Sequence, residues 1–228
     1  MHCELLVAGE RLLLSASKAI YWPREKMLVV ADIHFGKAAS FRALGVPVPH
    51  GTTAQNLAAL DALIAAHEVA QIVFLGDFLH AKAAQAPATL DALMRWRERH
   101  AGLKLTLVRG NHDLRAGDPP PRLRMTMVDE PWMLGPFAFK HHPDLAAPAC
   151  ASACASACAS AYILAGHVHP AFRLAAGRDS LYLPCFLVGP TRTVLPSFGA
   201  FTGGFLLTPQ AHESIFLTTG DAIFKLGS

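Results

Sequence analysis

The sequence predicts an α/β fold built around a largely buried sheet, and three observations carry that expectation. Five-residue, mostly apolar runs at Met27–Ala31, Gln71–Leu75 and Lys104–Val108 are separated by segments with helical periodicity. Beyond Asp113 the pattern turns β-rich, with short apolar runs following one another. Of the 228 residues, 52% are apolar and only 16% charged, which excludes a disordered chain and supplies one sizeable core. The chain is accordingly read as a single domain over residues 1–228.

Taken in order, Glu4–Ala8, Arg11–Ser15 and Ala19–Trp22 read as hairpin-like strands, and Met27–Ala31 as a strand buried on both faces. From Thr52, the residues Leu57, Leu60, Leu63 and Ile64 form one stripe, and Thr52-Thr53-Ala54-Gln55 fits a capping box; a helix to about Glu68 follows. Gln71–Leu75 is the next strand, and Ala88–His100 is a helix carrying Leu90, Leu93, Met94 and Arg97. Lys104–Val108 completes the repeated strand–loop–helix pattern. The later runs Met125–Val128, Phe137–Lys140, Tyr162–Ala165, Phe172–Ala175, Leu181–Pro184, Ser214–Thr218 and Ala222–Leu226 are expected to form a second sheet packed on the first.

Composition also bounds the surroundings. Met1-His2-Cys3-Glu4 lacks the basic and apolar regions of a secretory signal, which predicts a cytoplasmic protein. The stretch from Leu145 to Phe172 has no Asp, Glu, Lys or Arg, but it is too weakly apolar for a membrane span. Five cysteines, three of them in an Ala-Cys-Ala-Ser repeat over residues 149–160, do not make a disulfide framework. If the repeat is helical, Cys150, Cys154 and Cys158 share one face. Three thiols so placed could bind a soft metal, but the repeat contains no fourth ligand, and a tolerated surface insertion is the simpler reading. The net charge of +3 permits an anionic partner without arguing for one.

Twelve histidines against 37 charged residues place much of the polar chemistry on imidazoles, the commonest metal ligands. Five clusters each follow an apolar strand: Asp32-Ile33-His34, Gly76-Asp77, Gly110-Asn111-His112-Asp113, His141-His142-Pro143 and Gly166-His167-Val168-His169. In α/β sheets, functional groups gather beyond the carboxyl ends of the strands. Each strand would deliver one or two oxygen or nitrogen donors to one rim, where divalent cations are held. Any cluster alone has an ordinary structural reading as a cap, a turn or a core histidine; all five at strand ends in this order point to a site.

This succession of D-x-H, G-D, G-N-H-D, H and G-H-x-H resembles the calcineurin-like metallophosphoesterases. The matched motifs span Asp32 to His169, with separations of 45 residues (Asp32 to Asp77), 34 (Asp77 to Asn111), 30 (Asn111 to His141) and 26 (His141 to His167). The resemblance implies a four-layer α/β/β/α sandwich of two packed mixed sheets flanked by helices, with two metals at its rim. Flanking text narrows it. Ala31–Ala39, Val46–Gly51, Gly166–Pro170 and Leu195–Gly204 look like the branch of ligase-associated DNA-damage-response endonucleases. Those are manganese-dependent DNA phosphodiesterases of nucleic-acid repair, so the resemblance implies a DNA substrate, single-stranded foremost, and association with a repair ligase, helicase or exonuclease. A small nucleotide, a nucleotide-lipid or a phosphoprotein is the alternative substrate, since fold and ligands do not select one. The triple cysteine repeat departs from the family pattern, no membrane partner is implied, and a homodimer is compatible with such a domain.

Carried over residue by residue, the pattern assigns Asp32, His34, Asp77 and His169 to one metal and Asp77, Asn111, His141 and His167 to the other, with Asp77 bridging. Mn²⁺ is the implied metal, and Fe²⁺ or Zn²⁺ suits the same mixed ligand set. A hydroxide held between the metals would attack phosphorus in line, with His112 as general acid and transition-state stabiliser. Asp113 is either an orienting partner for the His112 ring or a cap. At His141-His142, alternation from Phe137 and Phe139 places His141 on their face and turns His142 away, and the family pattern favours His141. His80 is open between a partner of the site, a groove residue and a buried structural histidine. Lys37, Arg42, Arg109 and Arg115 could touch a DNA backbone or be solvated surface charges.

Overall fold

The computed structural model describes residues 1–143, 161–176 and 179–226. The first strands are β1 (His2–Val7), β2 (Glu10–Ser15), β3 (Ala19–Trp22) and β4 (Met27–Ala31), followed by helices α1 (Lys37–Ala43) and α2 (Thr52–Ala66). Then come β5 (Gln71–Leu75), α3 (Pro87–Arg99), β6 (Lys104–Val108), α4 (Asn111–Ala116) and β7 (Met125–Val128). The second half contains β8 (Trp132–Leu134), β9 (Phe137–Lys140), β10 (Tyr162–Ala165), β11 (Pro170–Ala176), β12 (Asp179–Val188) and β13 (Arg192–Val194). Short strands β14 (Phe205–Leu206), β15 (Ser214–Thr218) and β16 (Ile223–Lys225) end the chain.

Strands β1 to β7 form one mixed sheet in sequence order, antiparallel through β4 and parallel from β4 to β7. The other sheet runs β14-β11-β12-β13-β10-β9-β8, with β15 and β16 added beside β12. Period-two alternation divides the first sheet between two apolar clusters. Leu28, Val30, Ile72, Phe74, Leu105 and Leu107 face Leu57, Leu60 and Leu63 of α2 and Leu93 and Trp96 of α3. Val29, Val73, Leu75 and Val108 face the opposite way, onto Phe137, Phe139, Leu164 and Phe186 of the second sheet. Both faces of β4 are thus covered, as its unbroken apolar run requires. Two packed mixed sheets with helices are what the chain adopts. Among the described residues, the helices that contribute to an apolar cluster lie on the first sheet. In the connection between parallel neighbours β9 and β10, residues 144–160, with the cysteine repeat at 149–160, lie outside the described residues.

Two expectations are corrected here. Met125–Val128 does not join the second sheet but extends the first, parallel to β6. The capping box at Thr52 does not form; Gly51, at φ 83°, is the N-cap, its carbonyl accepts Gln55 N–H, and no side chain caps the helix.

Lys18, in the β2–β3 turn at φ 63°, donates from Nζ to the Phe198 carbonyl at 2.9 Å and lines a cavity of about 390 Å³. Burial pushes its ammonium down to about 8 from the ordinary 10.5. The unfolded chain therefore binds more protons between those values, and native stability rises with pH across that window. Lys18→Met is expected to stabilise the protein at pH 7 by on the order of 1–3 kcal/mol, the advantage shrinking towards pH 10.5 as wild-type Lys18 becomes neutral. Urea denaturation at pH 7 and pH 10 measures this; an advantage that grows with pH would contradict the sign.

Candidate binuclear metal centre

The loops leaving β4, β5, β6, β9 and β10 deliver the five clusters to one rim. The loops after β4 and β5 are tied together: His34 N–H donates to the Asp77 carbonyl at 2.9 Å, and Phe35 N–H to the Phe78 carbonyl at 2.8 Å. Ser197 Oγ donates to the Asp32 carbonyl at 2.7 Å, and Phe198 N–H to the Ala31 carbonyl at 2.8 Å. Asn56 of α2 joins both segments, donating from Nδ2 to the Ile33 carbonyl and accepting Ala200 N–H at Oδ1. Asn56 was not singled out from the sequence; a buried amide inside an otherwise apolar helical stripe is the only signal it gives.

One group of donors is Asp32, His34, Asp77 and His169, whose ligand atoms all lie within 4.8 Å of one another. Asp32 Oδ2 accepts His167 N–H at 2.9 Å, leaving Oδ1 at 3.4 Å from His169 Nε2. Asp77 turns Oδ2 towards His34 Nε2 at 3.7 Å and Oδ1 towards His141 Nε2 at 3.5 Å, so its two oxygens face two different sets of donors. On the second side, His141 Nε2 lies 2.9 Å from Asn111 Oδ1 and 3.0 Å from His167 Nδ1.

The donor chemistry fits cations at both places. Asp32 Oδ1, both ring nitrogens of His34 and His169 Nε2 are buried with no hydrogen-bond partner. An unsatisfied buried polar atom costs roughly 1–3 kcal/mol, and few are tolerated in a native structure unless something else pairs them. On the other side, His141 Nδ1 lies 3.1 Å from the Leu75 carbonyl, and with the proton held there Nε2 presents a lone pair. That lone pair faces the Asn111 oxygen, an arrangement that a cation between them relieves. Burial, with the positive charge of Lys37 next, holds the His34 imidazole far below its ordinary titration range and keeps it neutral, as a ligand must be. Burial and then the neighbouring His141 lower His167 likewise.

The backbone shows the same concentration. Nine non-glycine residues among those described have positive φ, and five of them are Asp32, His34, Asp77, His167 and His169. Such conformations cost on the order of 1–3 kcal/mol each and collect where function over-determines the chain. A Cβ at Gly166 would stand 2.7 Å from Asp32 Oδ2, so the cluster of His167 and His169 reaches Asp32 only because position 166 lacks a side chain.

Around these donors, His112 donates its backbone N–H to Asp77 Oδ1 at 3.0 Å. Its ring Nδ1 lies 2.8 Å from the His80 carbonyl, leaving Nε2 at 3.9 Å from Asp77 Oδ2 and directed to the site. Asp113 does not hold that ring. Its Oδ1 accepts Phe78 and Leu79 N–H at 2.9 and 3.2 Å, and its Oδ2 accepts Gly110 N–H at 3.0 Å, so it caps α4 and clamps the β5 loop. Burial pushes its carboxyl up to about 6 against those hydrogen bonds.

His142 requires a correction. The strand ends at Lys140, so alternation no longer governs residue 142, and its ring packs against His141 and His167 at 4.6 and 4.4 Å. His141, His142 and His167 form a second candidate group of donors. Glu130 fixes this corner: Oε1 lies 2.6 Å from His142 Nδ1, and Oε2 accepts the N–H groups of His141 and His142. Burial raises Glu130, but the His142 ring and the two backbone N–H groups outweigh it and hold the carboxyl below its ordinary value. His80 packs on His112 and shields the site; burial, then Lys37 and His112, lower it to about 4. Arg109 is committed to Asp118 and Asp129, and Arg42 donates to the Pro49 carbonyl. Lys37 is half-buried within electrostatic reach of Asp77 and Asp32, and Arg115 is exposed.

Two packed mixed sheets with metal-ligand clusters at one rim define a metal-dependent phosphoesterase. The family model described as Calcineurin-like phosphoesterase matches residues 25–169, and the chain belongs to that family, which uses divalent metals. In particular, the chain is similar to the Pseudomonas putida nuclease MPE, with 43% identity, a TM-score of 0.83, and coverage of 99% of this chain and 100% of that one. A conserved uncharacterized Streptococcus pneumoniae protein covers 84% of this chain and 81% of its own at 15% identity, with a TM-score of 0.34. The Vps29 D62A mutant from Entamoeba histolytica covers 88% and 96% at 10% identity, with a TM-score of 0.36. At those scores neither adds to the assignment. No curated protein matches the chain. No helix among the described residues is long and apolar enough to cross a membrane.

Proposed function

We propose that the chain is a DNA endonuclease that hydrolyses phosphodiesters with two divalent cations, Mn²⁺ foremost, acts mainly on single strands, and serves repair. The observation that carries the reading is the arrangement of six donor side chains about Asp77, whose two oxygens face different donors, in a chain similar over its whole length to a nuclease. Asp32, His34, Asp77 and His169 would hold one cation, and Asp77, Asn111, His141 and His167 the other. Bound there, the cations would supply Lewis-acid charge for the phosphate and activate water near neutral pH.

The chain's own groups do the rest. His112 N–H fixes Asp77 Oδ1, and ring Nδ1 is engaged by the His80 carbonyl, which leaves Nε2 directed to the site; protonated at both nitrogens, the ring would give its Nε2 proton to the leaving oxygen or bind a phosphate oxygen through Nε2–H. Asp113 holds the loops of Asp77 and Asn111 in register through Phe78, Leu79 and Gly110. His142, held by Glu130, buttresses His141 and His167. The role in repair, beside a ligase, helicase or exonuclease, is supported by the motifs flanking the clusters.

Circular single-stranded DNA incubated with Mn²⁺, Fe²⁺ and Zn²⁺ in turn tests the reading, because a closed circle is opened only by an endonuclease. Linearisation is expected, fastest with Mn²⁺. A circle that survives while bis(p-nitrophenyl) phosphate is hydrolysed would leave the metal chemistry standing and make a small phosphodiester the substrate.

A further inference from the structure

We infer that the aromatic row running from His112 through His80 and Phe41 to Phe201 is a stacking platform for unpaired bases of a single-stranded nucleic acid beside the metal centre. The inference rests on the DNA reading and deepens it by naming where the strand lies.

The row begins at the site, where the His112 ring stands 5.2 Å from His34, a candidate ligand. His112 and His80 are stacked, with centroids 5.0 Å apart and planes 23° from parallel; His80 and Phe41 are stacked at 5.9 Å and 28°. Phe201 closes the far end, its edge to Phe41 at 5.9 Å and 86°. Neither phenylalanine belongs to an apolar cluster of the fold, and both are half-buried. These two half-buried rings continue the row of His112 and His80 away from the rim and place apolar aromatic surface beside the site.

The charge beside the row suits the same occupant. Lys37 and Phe41 are four residues apart on α1 and so share one face. The Lys37 ammonium is within electrostatic reach of Asp77 and Asp32, which places it on the metal side. One face of α1 thus offers a cation near the phosphate that is cut and, one turn further on, an aromatic ring for a neighbouring base. Base–aromatic stacking tolerates any sequence because every base has a π-face, and it requires that face to be free, which a duplex does not allow. The platform therefore selects single strands without reading their sequence.

Phe41→Leu keeps most of the apolar volume and removes the ring, and Phe41→Tyr restores it. The quantity to measure is kcat/KM for a single-stranded oligonucleotide divided by kcat/KM for bis(p-nitrophenyl) phosphate. Phe41→Leu and Phe201→Leu are expected to lower this ratio about tenfold, mostly through KM for DNA, and Phe41→Tyr to return it near the wild-type value. In parallel, oligonucleotides with a single abasic residue stepped along the strand are expected to weaken wild-type cleavage at one or two positions next to the cut, and to lose that effect with Phe41→Leu. A ratio unchanged in both leucine variants, or an abasic penalty that persists in Phe41→Leu, overturns the platform while DNA cleavage stands. A wild-type protein that hydrolyses the aryl diester but not the oligonucleotide overturns the DNA reading and the platform with it.

Discussion

Asp77→Asn is expected to reduce phosphodiester hydrolysis by a factor of at least about 10³, with the protein still folded. The expectation follows from the way one carboxylate is shared. Asp77 is buried; its Oδ1 faces His141 Nε2 and accepts His112 N–H, and its Oδ2 faces His34 Nε2. An amide at this position can still accept the His112 hydrogen bond, and asparagine, like aspartate, tolerates the local φ of 50°. What the amide cannot supply is negative charge to both donor sets. Asp77→Ala removes the acceptor as well and leaves His112 N–H without its partner, at a cost of roughly 1–3 kcal/mol in stability on top of the lost chemistry. Calorimetric titration with Mn²⁺ separates the effects: two equivalents are expected to bind wild type, and fewer or weaker ones the asparagine variant. Undiminished hydrolysis by Asp77→Asn would remove the shared-carboxylate assignment.

The parts of this site that were readable from the sequence are those that local rules govern. Strands β4, β5 and β6 match their expected bounds: β4 is an unbroken apolar run buried on both faces, and β5 and β6, which open on Gln71 and Lys104, are mostly buried and, like β4, end just before a polar cluster. The donors were legible because each cluster begins within two residues of such a strand's end. What escaped depends on partners. Met125–Val128 is strand-like on its own, but only tertiary pairing places it beside β6 rather than in the second sheet. Strands β8, β13 and β14 have two or three residues each, too few to show a period. Helices α1 and α4 are short and take their positions from contacts with the β5 loop, not from a stripe. His142 was turned away by an alternation that stops two residues earlier, and Glu130, which brings it back, lies 12 residues distant in a different strand connection. The left-handed backbone of five candidate ligands has only a faint sequence signature, since Asp and His are enriched at positive φ but far more often take negative φ.

Gly76→Ala is the second large effect, and it couples the backbone to the chemistry. Gly76 has φ 73°, and a Cβ added there would lie 2.1 Å from His141 Nδ1 and 2.9 Å from the Gly110 Cα. The first neighbour is the end of a side chain whose nitrogen is already held by the Leu75 carbonyl, and the second is backbone, so neither can yield cheaply. Left-handed geometry costs an alanine roughly 1–2 kcal/mol, and the forced displacement of packed neighbours adds about 1–3 kcal/mol. The sum is expected to lower the urea midpoint substantially, and chemistry should suffer beyond what stability explains. The displaced group is His141, whose Nε2 faces Asn111, His167 and Asp77, while the displaced backbone, at Gly110, leads directly into Asn111. At a temperature where the variant remains folded, hydrolysis should therefore fall by about 10²-fold, the loss typical when a supporting contact of a metal ligand is disturbed. Gly220→Ala is the control, since Gly220 also has positive φ, at 97°, but a Cβ there meets nothing within 4 Å. It should lose a comparable backbone increment of stability with activity retained. Equal activity losses in the two alanine variants would mean that backbone strain alone, and not the approach of His141 to Gly76, sets the requirement for glycine.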